Sequence, residues 1–350
     1  MERTLACVLL FLVPFTVHAV MLTDLYEAEA PVIDQSDKNR QAAVRTALGQ
    51  VLVKLTGDRS SPGNPALSPI LKLAPELVQQ YLYREQEPVN TAAGVDTGPT
   101  TRLWVRFDER ILAQRMWELG IPIWGQERPA TLLWLASEDD SGRFFVSQDS
   151  LPEFISVLEN KARLRGIALV FPLLDLEDST RIRADEVWDG FRQPILDASA
   201  RYGADSVLAG RIHSPTPGIW EAGWTVYFGE EGMNWVTRSD LAEMALEEGI
   251  DGLADALAAR YVISGALAGA ELIRITVTEI TTNDQYAATI KYLRSLNSVT
   301  DVQVVQVEPG QVSFAVTAHG GEPAISQAIT LGRRLLPMDN TGRRIYRLLP

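Results

Sequence analysis

Three segments of strand length, the first two of them continuously apolar, alternate with helix-like segments in the middle of the sequence, and this alternation constrains the fold most strongly. The segments are TLLWLA at 131–136, IALVFPLL at 167–174 and DSVLAGRI at 205–212. A helix with a capping box at Ser150–Glu153 is predicted after the first run, and a second helix over Phe191–Tyr202. Continuous apolar runs are typical of strands buried on both faces, and alternation with helices requires crossover connections. We therefore predict a mixed, partly parallel α/β sheet.

The next segment, Ile219–Phe228, alternates strictly and predicts a strand with two different faces. A turn at 229–232 and a return at Met233–Arg238 make it one half of an antiparallel hairpin. The aromatic face consists of Trp220, Ala222, Trp224, Val226 and Phe228. We interpret this face as core rather than as a surface for sugars or peptides. Tyr227, on the opposite face, is the candidate for an exposed contact.

The N-terminal third carries the signals of a helix that packs on a small sheet. Apolar residues recur at helical spacing at Val44, Ala47, Leu48, Val51, Leu52 and Leu55. This stripe predicts a helix from Ser36 or Asp37 to Thr56, with Gly57 as its stop. The other predicted elements are strands at 21–32, 81–89 and 101–107, and a helix at 109–119 capped by Asp108.

The stretch Gly120–Asp139 (GIPIWGQERPATLLWLASED) connects that helix to the first buried strand. Pro122 prevents continuation of the helix, because proline lacks an N–H donor and clashes with the preceding turn. The pattern favours a joint between two domains, with Trp124 packed against it. The alternative is that Trp124 and Arg128 form an exposed stacking and charge site. Together with Tyr227, these two residues are the candidate interaction surface.

Residues 271–350 have the order strand, helix, strand, strand, helix, strand, which is the ferredoxin-like pattern. All 8 tryptophans precede this segment, and the change in composition supports a boundary near residue 265. The predicted fold class is α/β and α+β, multi-domain, with mixed-sheet α/β modules followed by a C-terminal ferredoxin-like βαββαβ domain. The predicted parts are a signal peptide at 1–19, an N-terminal α/β domain at 20–125, a central α/β domain with the hairpin at 126–264, and the C-terminal domain at 265–350.

The first residues, MERTLACVLLFLVPFTVHAV, have the pattern of an export signal. Arg3 supplies a positive start, Leu5–Val13 is an apolar run, and Val17–Ala19 resembles a small-x-small cleavage site. We predict a Sec-type signal peptide cleaved after Ala19, with an uncleaved anchor as the alternative. The run is shorter than the roughly 20 residues of a membrane span. Cys7 is the only cysteine, so cleavage would leave no thiol for disulfides, nucleophilic catalysis or metal binding.

Composition narrows the classes of partner. The formal net charge of −13 and the absence of a basic cluster argue against nucleic-acid binding. No later segment is long and apolar enough to predict a membrane span. We therefore expect a periplasmic protein with envelope proteins as partners and no transmembrane segment after cleavage.

The sequence contains no recognisable catalytic, cofactor-binding or metal-binding motif. Patterns for zinc helices, nucleophile elbows and phosphate loops are missing, and His213 and His319 lie in different predicted domains. His213 lies beside Ser214 with Asp205 upstream, but adjacent strand residues point to opposite faces, which argues against a triad. An acidic segment comprises Asp175, Glu177, Asp178, Asp185, Glu186 and Asp189. We interpret it as a solvated loop and helix start. The alternative is an envelope glycan or ester hydrolase that uses paired carboxylates near Asp185.

Three segments suggest a family. The helix end VLVKLTGDR, the joint WGQERPATLLWLA, and GADSVLAGRI followed by a tryptophan-containing hairpin together resemble the proteobacterial envelope family called domain of unknown function 2066. The resemblance covers roughly residues 20–260. It implies an exported Gram-negative protein and, since that family has no established activity, transfers no site residue.

The leading hypothesis is an exported, non-enzymatic binding or accessory protein that acts through protein–protein contacts and uses no cofactor. Besides the hydrolase, a second alternative is a small-ligand carrier with a pocket between the first two domains. Trp104, Trp117 or Trp124 would line that pocket.

Overall fold

The computed structural model describes residues 20–22, 24–86, 100–262, 270–338 and 344–349. The predicted signal peptide at 1–19 lies outside these residues. The chain is a mixed α/β protein with several sheets and helices, arranged as three units that each surround a sheet.

The strands are β1 Val20–Met21, β2 Glu27–Pro31, β3 Val78–Gln86, β4 Thr100–Phe107, β5 Glu127–Arg128, β6 Ala130–Asp139, β7 Gly142–Phe145, β8 Ala168–Val170, β9 Ser206–Thr216, β10 Ile219–Phe228, β11 Glu231–Ser239, β12 Glu271–Ile280, β13 Val299–Glu308, β14 Gly310–Ala318, β15 Leu335–Pro337 and β16 Ile345–Leu348. The α-helices are α1 Asp37–Thr56, α2 Ser68–Lys72, α3 Glu109–Glu118, α4 Pro152–Arg165, α5 Leu176–Arg181, α6 Ala184–Trp188, α7 Arg192–Ser199, α8 Ala242–Tyr261, α9 Asn283–Ser295 and α10 Gly321–Gly332.

The N-terminal unit packs α1 against the antiparallel sheet β2-β4-β3. The apolar stripe of α1 lies in the core of this unit, and Gly57 ends the helix in the left-handed conformation, as predicted. Asp108 caps α3 by accepting a hydrogen bond of 2.9 Å from the N–H of Ile111. Both helix ends were readable from sequence because each depends on one local residue type.

The central unit contains the sheet β11-β10-β9-β6-β7, with β8 also paired to β6. β6 runs parallel to β8 and to β9, so the predicted partly parallel sheet is confirmed. One face packs against α4 and α8. The other packs against α6 and α7. Because both faces are covered, β6 is apolar along most of its length.

The predicted hairpin is formed by β10 and β11, and its aromatic face is core. Trp224 is buried between Gly210 on β9 and Gly249 on α8. A β-carbon at Gly249 would lie 2.2 Å from the Trp224 indole, and one at Gly210 would lie 2.6 Å from it. The two glycines therefore provide the space that this indole occupies.

Two local predictions in the central unit were wrong. The capping box at Ser150–Glu153 does not form, because the backbone N–H of Ser147 donates to the Ser150 hydroxyl oxygen at 2.9 Å and α4 starts after Leu151. The strand predicted at 167–174 is limited to β8. The backbone N–H of Leu173 donates instead to the Tyr202 hydroxyl and that of Leu174 to Asp178, each at 2.8 Å. These side-chain acceptors replace a neighbouring strand.

The C-terminal unit contains the sheet β13-β14-β12-β16-β15 with α9 and α10. β12 pairs antiparallel with β14 and parallel with β16. The helix α10 ends at Gly332, and Leu335 begins β15, an extra strand that the predicted order of elements does not contain. Arg333 separates the two elements in a left-handed backbone conformation, with φ 47°.

Buried hydrogen bonds connect the three units. Arg165 of α4 donates to the carbonyl of Gly57 at 2.8 Å, which joins the central unit to the end of α1. Gln327 of α10 donates to the carbonyl of Tyr261 at the end of α8, also at 2.8 Å. The segment Gly120–Arg128 lies where these connections meet.

Candidate functional site

The segment Gly120–Arg128 is fixed in place by its own backbone. Gly120 follows α3 with φ 67°, a conformation that suits glycine. The N–H of Trp124 donates to the carbonyl of Leu55 at 2.6 Å, at the end of α1. β5 then pairs antiparallel with β1. The Trp124 side chain enters the core of the central unit, so the segment contacts two units at once.

Arg128 is held by main-chain carbonyl groups. Its guanidinium donates to the carbonyl oxygens of Gly125 at 2.7 Å, Lys54 at 2.8 Å and Trp124 at 3.0 Å. The same guanidinium lies 3.8 Å from the centroid of the Trp124 ring, a cation–π distance. Complete burial lowers the pKa of Arg128 to about 9.

The three residues predicted as an interaction surface do not form one. Trp124 is 3% exposed, Arg128 0% and Tyr227 6%, so none of them presents a contact surface. Tyr227 packs in the second core of the central unit and faces the guanidinium of Arg192 at 5.9 Å. The hairpin face that sequence reasoning left open to solvent is covered by α7 and its neighbours, which the strand pattern could not show.

A cleft lies where the three units meet. Its lining residues are Trp117, Pro122, Ile123, Trp124, Gly125, Glu127, Tyr261, Asn297, Ser298, His319, Gly320, Ala324, Gln327, Ala328 and Leu331. The rings of Trp117 and His319 stack with centroids 4.3 Å apart and join the N-terminal and C-terminal units. The free volume is about 80 Å³. At about 30 Å³ per water molecule, it has room for a few waters or a small polar group.

Three buried polar atoms without a partner among the described residues belong to side chains that line this cleft. Glu127 is only 7% exposed, yet its Oε1 accepts no hydrogen bond from the described residues. Trp124 Nε1, which is a donor, and Ser298 Oγ are likewise buried and have no hydrogen-bond partner within the described part of the chain. Burial raises the pKa of Glu127, and the nearby Arg128 only partly opposes this effect. Unpaired buried polar groups are costly, so this set marks a place where a polar ligand or ordered water would bind.

The remaining polar groups of the cleft are neutral or paired. Burial lowers the pKa of His319, which keeps its imidazole uncharged at neutral pH. Glu109 lies beside the cleft, accepts a hydrogen bond of 2.7 Å from Gln126, and has a raised pKa because of burial.

Sequence reasoning proposed Trp117 and Trp124 for a pocket but missed Glu127, Tyr261 and His319. No local pattern marks these residues, since the fold brings them together from distant parts of the chain.

Trp104, the third tryptophan proposed for a pocket, lies elsewhere. Its indole donates to Glu27 at 3.1 Å, and the guanidinium groups of Arg84 and Arg106 lie 5.4 Å from its ring. It lines a separate surface depression with Lys54 and other charged residues.

The carboxylates of the acidic segment are bound by neighbouring groups of the protein. Asp185 and Asp189 both bind the guanidinium of Arg143, at 3.3 Å and 3.2 Å. Glu186 accepts from the N–H of Arg183 and so caps α6. Asp178 is buried and accepts from Tyr202 and Arg201. Each carboxylate thus has a structural partner, and the described residues contain no group of acidic, histidine or cysteine side chains suited to a metal ion.

His213 and Asp205 are also separate. His213 packs against Trp188 with ring centroids 5.3 Å apart. Asp205 accepts from the N–H of Ala130 at 2.8 Å and pairs with Arg333 at 2.7 Å.

A family model described as a domain of unknown function (DUF8605) matches residues 19–125. This is a different family from domain of unknown function 2066, so the family resemblance suggested by the three sequence segments was wrong. Those segments are helix ends, strands and turns, which recur in unrelated proteins. No curated protein and no solved structure matches the chain. Across the part of the chain that the structure describes, the helices are all too short or too polar to cross a membrane.

Proposed function

We propose that this chain is a non-enzymatic binding protein whose three units close around a small polar ligand at the junction cleft. The observation that carries the proposal is the group of buried, unpaired polar atoms on Glu127, Trp124 and Ser298. Binding sites in proteins combine an apolar, aromatic lining with a few convergent polar groups, which is the composition of this cleft.

The proposal is tested by filling the cleft. Ala324 of α10 lines it, and Ala324→Leu places three more carbon atoms in the free volume. The matched control is Ala287→Leu, an exposed alanine on α9 away from the cleft. Native mass spectrometry of protein incubated with an envelope extract should show a bound small molecule on the wild type and on the control. Its equal retention by Ala324→Leu would refute the cleft as the site.

A second candidate function is the recruitment of a partner protein by strand addition at β13. This strand forms one edge of the C-terminal sheet, and its residues Val304, Val305 and Val307 are 39%, 45% and 66% exposed. An exposed edge strand offers unpaired main-chain groups to an extended segment of another protein. This arrangement supports the envelope-protein contacts expected from the sequence.

The strand-addition proposal is tested by charge. Val305→Lys and Val307→Lys should reduce crosslinking to envelope proteins in cells, because a lysine on an edge strand disfavours pairing. Leu272→Lys, on an exposed position of the interior strand β12, is the control for added charge. Unchanged crosslinking of both valine variants would count against β13.

The cellular setting is part of the same proposal. We infer export to the periplasm by the N-terminal signal at 1–19, so the mature chain would begin at Val20. N-terminal sequencing of the protein from a periplasmic fraction tests this directly. An intact Met1 in that fraction would support the anchor alternative instead.

We also propose the division into domains at 20–125, 126–264 and 265–350, with the last domain a variant of the ferredoxin-like fold. The order of its first six elements supports the assignment, while the insertion of β16 beside β12 departs from it. Limited proteolysis should release a fragment that begins near residue 265. Cleavage within β12–β14 before any cut near 265 would contradict the boundary.

A further inference from the structure

We propose that the ligand of the junction cleft is a small protonated amine, bound by Glu127 and the aromatic side chains around it. This inference rests on the ligand-binding function proposed for the same cleft, and specifies the chemical class of the ligand. It follows from the charge, the unpaired atoms, the rings and the size of the site.

The charge of the cleft is negative. Among its described lining residues, Glu127 is the single acidic side chain, and no lysine or arginine accompanies it. His319 also lines the cleft but is uncharged at neutral pH. Arg128 lies behind Trp124, where three carbonyl oxygens hold its guanidinium, and it opposes the charge of Glu127 only in part. A cation therefore complements the carboxylate that lines the cleft, while an anion would be repelled by it.

The unpaired Oε1 of Glu127 selects among polar ligands. A buried carboxylate oxygen without a hydrogen-bond donor is unfavourable, and a neutral ligand adds no charge opposite to that of the carboxylate. An ammonium group supplies both an N–H donor and the opposite charge, and such bonds are about twice as strong as neutral ones.

The aromatic rings favour the same chemistry. Trp117, Trp124 and Tyr261 line the cleft with Glu127. The face of an aromatic ring attracts ammonium groups, and Trp124 already binds one cation, Arg128, in this way. Rings combined with a carboxylate therefore suit a protonated amine better than a sugar hydroxyl or a phosphate.

The free volume of the cleft limits the size of the ligand. A free space of about 80 Å³ accepts an ammonium group with a short carbon chain. The cleft is partly open to solvent, so a longer chain attached to the amine would extend out of it. The amine can thus come from a free small molecule or from the head group of a lipid, and the two sources present the same chemistry to Glu127.

The test is a titration by calorimetry of the full mature chain with three probes of similar size. The probes are ethylammonium chloride, sodium propionate and propionamide, at constant ionic strength and pH 7.5. Ethylammonium should bind at least about 10-fold more tightly than the other two. Vesicles that display ethanolamine head groups, compared with vesicles of anionic lipid alone, form a second arm that distinguishes the lipid source from the free amine.

Two variants make the outcome specific. Glu127→Gln keeps the shape of the side chain and should weaken ethylammonium binding by about 10-fold or more, while Glu159→Gln, an exposed change on α4, should leave it unaltered. Ala324→Leu should remove binding of every probe. If propionamide or propionate binds as well as ethylammonium and Ala324→Leu abolishes it, the amine assignment is overturned while the ligand-binding function stands. If none of the three probes and no ligand from the extract binds the wild type, both the amine assignment and the ligand-binding function fail.

Discussion

The guanidinium of Arg165, at the end of α4, donates a hydrogen bond of 2.8 Å to the carbonyl oxygen of Gly57 at the end of α1. The same group pairs with Asp251 and, at 2.7 Å, with Asp255 on α8. One buried side chain thus joins helices of two units.

Arg165→Met should lower the free energy of unfolding by about 3 kcal/mol, since it leaves Asp251 buried with fewer partners and the Gly57 carbonyl without this donor. Urea denaturation measures the change. Arg163→Met, an exposed residue on the same helix, should alter stability by less than about 0.5 kcal/mol. Equal effects of the two substitutions would show that the buried contact is unimportant.

Gly57→Ala should lower the stability of the protein by more than the left-handed backbone conformation at this position alone explains. The residue has φ 73°, and an added β-carbon would lie 2.5 Å from that of Ala258 on α8. Gly229→Ala is the matched control, with φ 59° and no atom within 4 Å of the added carbon. The control should cost about 1 kcal/mol and Gly57→Ala about 1–3 kcal/mol more, as measured by thermal unfolding. The same cost at both positions would contradict the close approach of α1 and α8.

Gly249→Ala should destabilise the central unit by about 2–3 kcal/mol because the new methyl group would overlap the Trp224 indole. In a Trp224→Phe background the smaller ring leaves space, so the same substitution should cost less than about 1 kcal/mol. A double-mutant cycle by urea denaturation measures the difference. Additive costs would mean that the indole does not occupy the position beside α8.

Glu127→Gln should stabilise the protein at neutral pH. The pKa of Glu127 is raised by burial, so the folded state binds this proton more tightly than the unfolded state. Ionisation of the carboxylate therefore costs stability at pH values above the raised pKa, and this cost disappears below the ordinary value of about 4.5. The melting temperature of the variant should exceed that of the wild type at pH 7.5, and the difference should shrink toward pH 4. A variant less stable than the wild type at pH 7.5 would indicate that Glu127 has a stabilising partner.

Much of the fold could be predicted from local patterns. Gly57 and Asp108 mark helix ends because one residue type satisfies the local geometry there. The hairpin was predicted because side chains alternate along a strand. The capping box at Ser150–Glu153 failed because a competing donor, the backbone N–H of Ser147, binds the serine oxygen. That donor lies in the turn before α4.

The site was less predictable than the fold. Glu127 and Arg128 look like ordinary exposed charges in sequence, since charged residues are rarely buried. Their burial results from packing of three units around one short segment, and His319 reaches the same place from the C-terminal unit. Pairs so distant in sequence leave no periodic signal. Pro122 within the segment and Pro129 directly after it were its one local mark, and they indicated a joint.

The position of Gly120–Arg128 has a consequence for how the molecule melts. Trp124 is bonded to α1, buried in the central core, and part of the same cleft wall as α10. Because these few residues contact all three cores, unfolding of one core would remove contacts from the other two. None of the cores should therefore melt far ahead of the others. A scanning calorimeter should therefore record one endotherm, with a calorimetric enthalpy close to its van't Hoff value, despite three separate sheets.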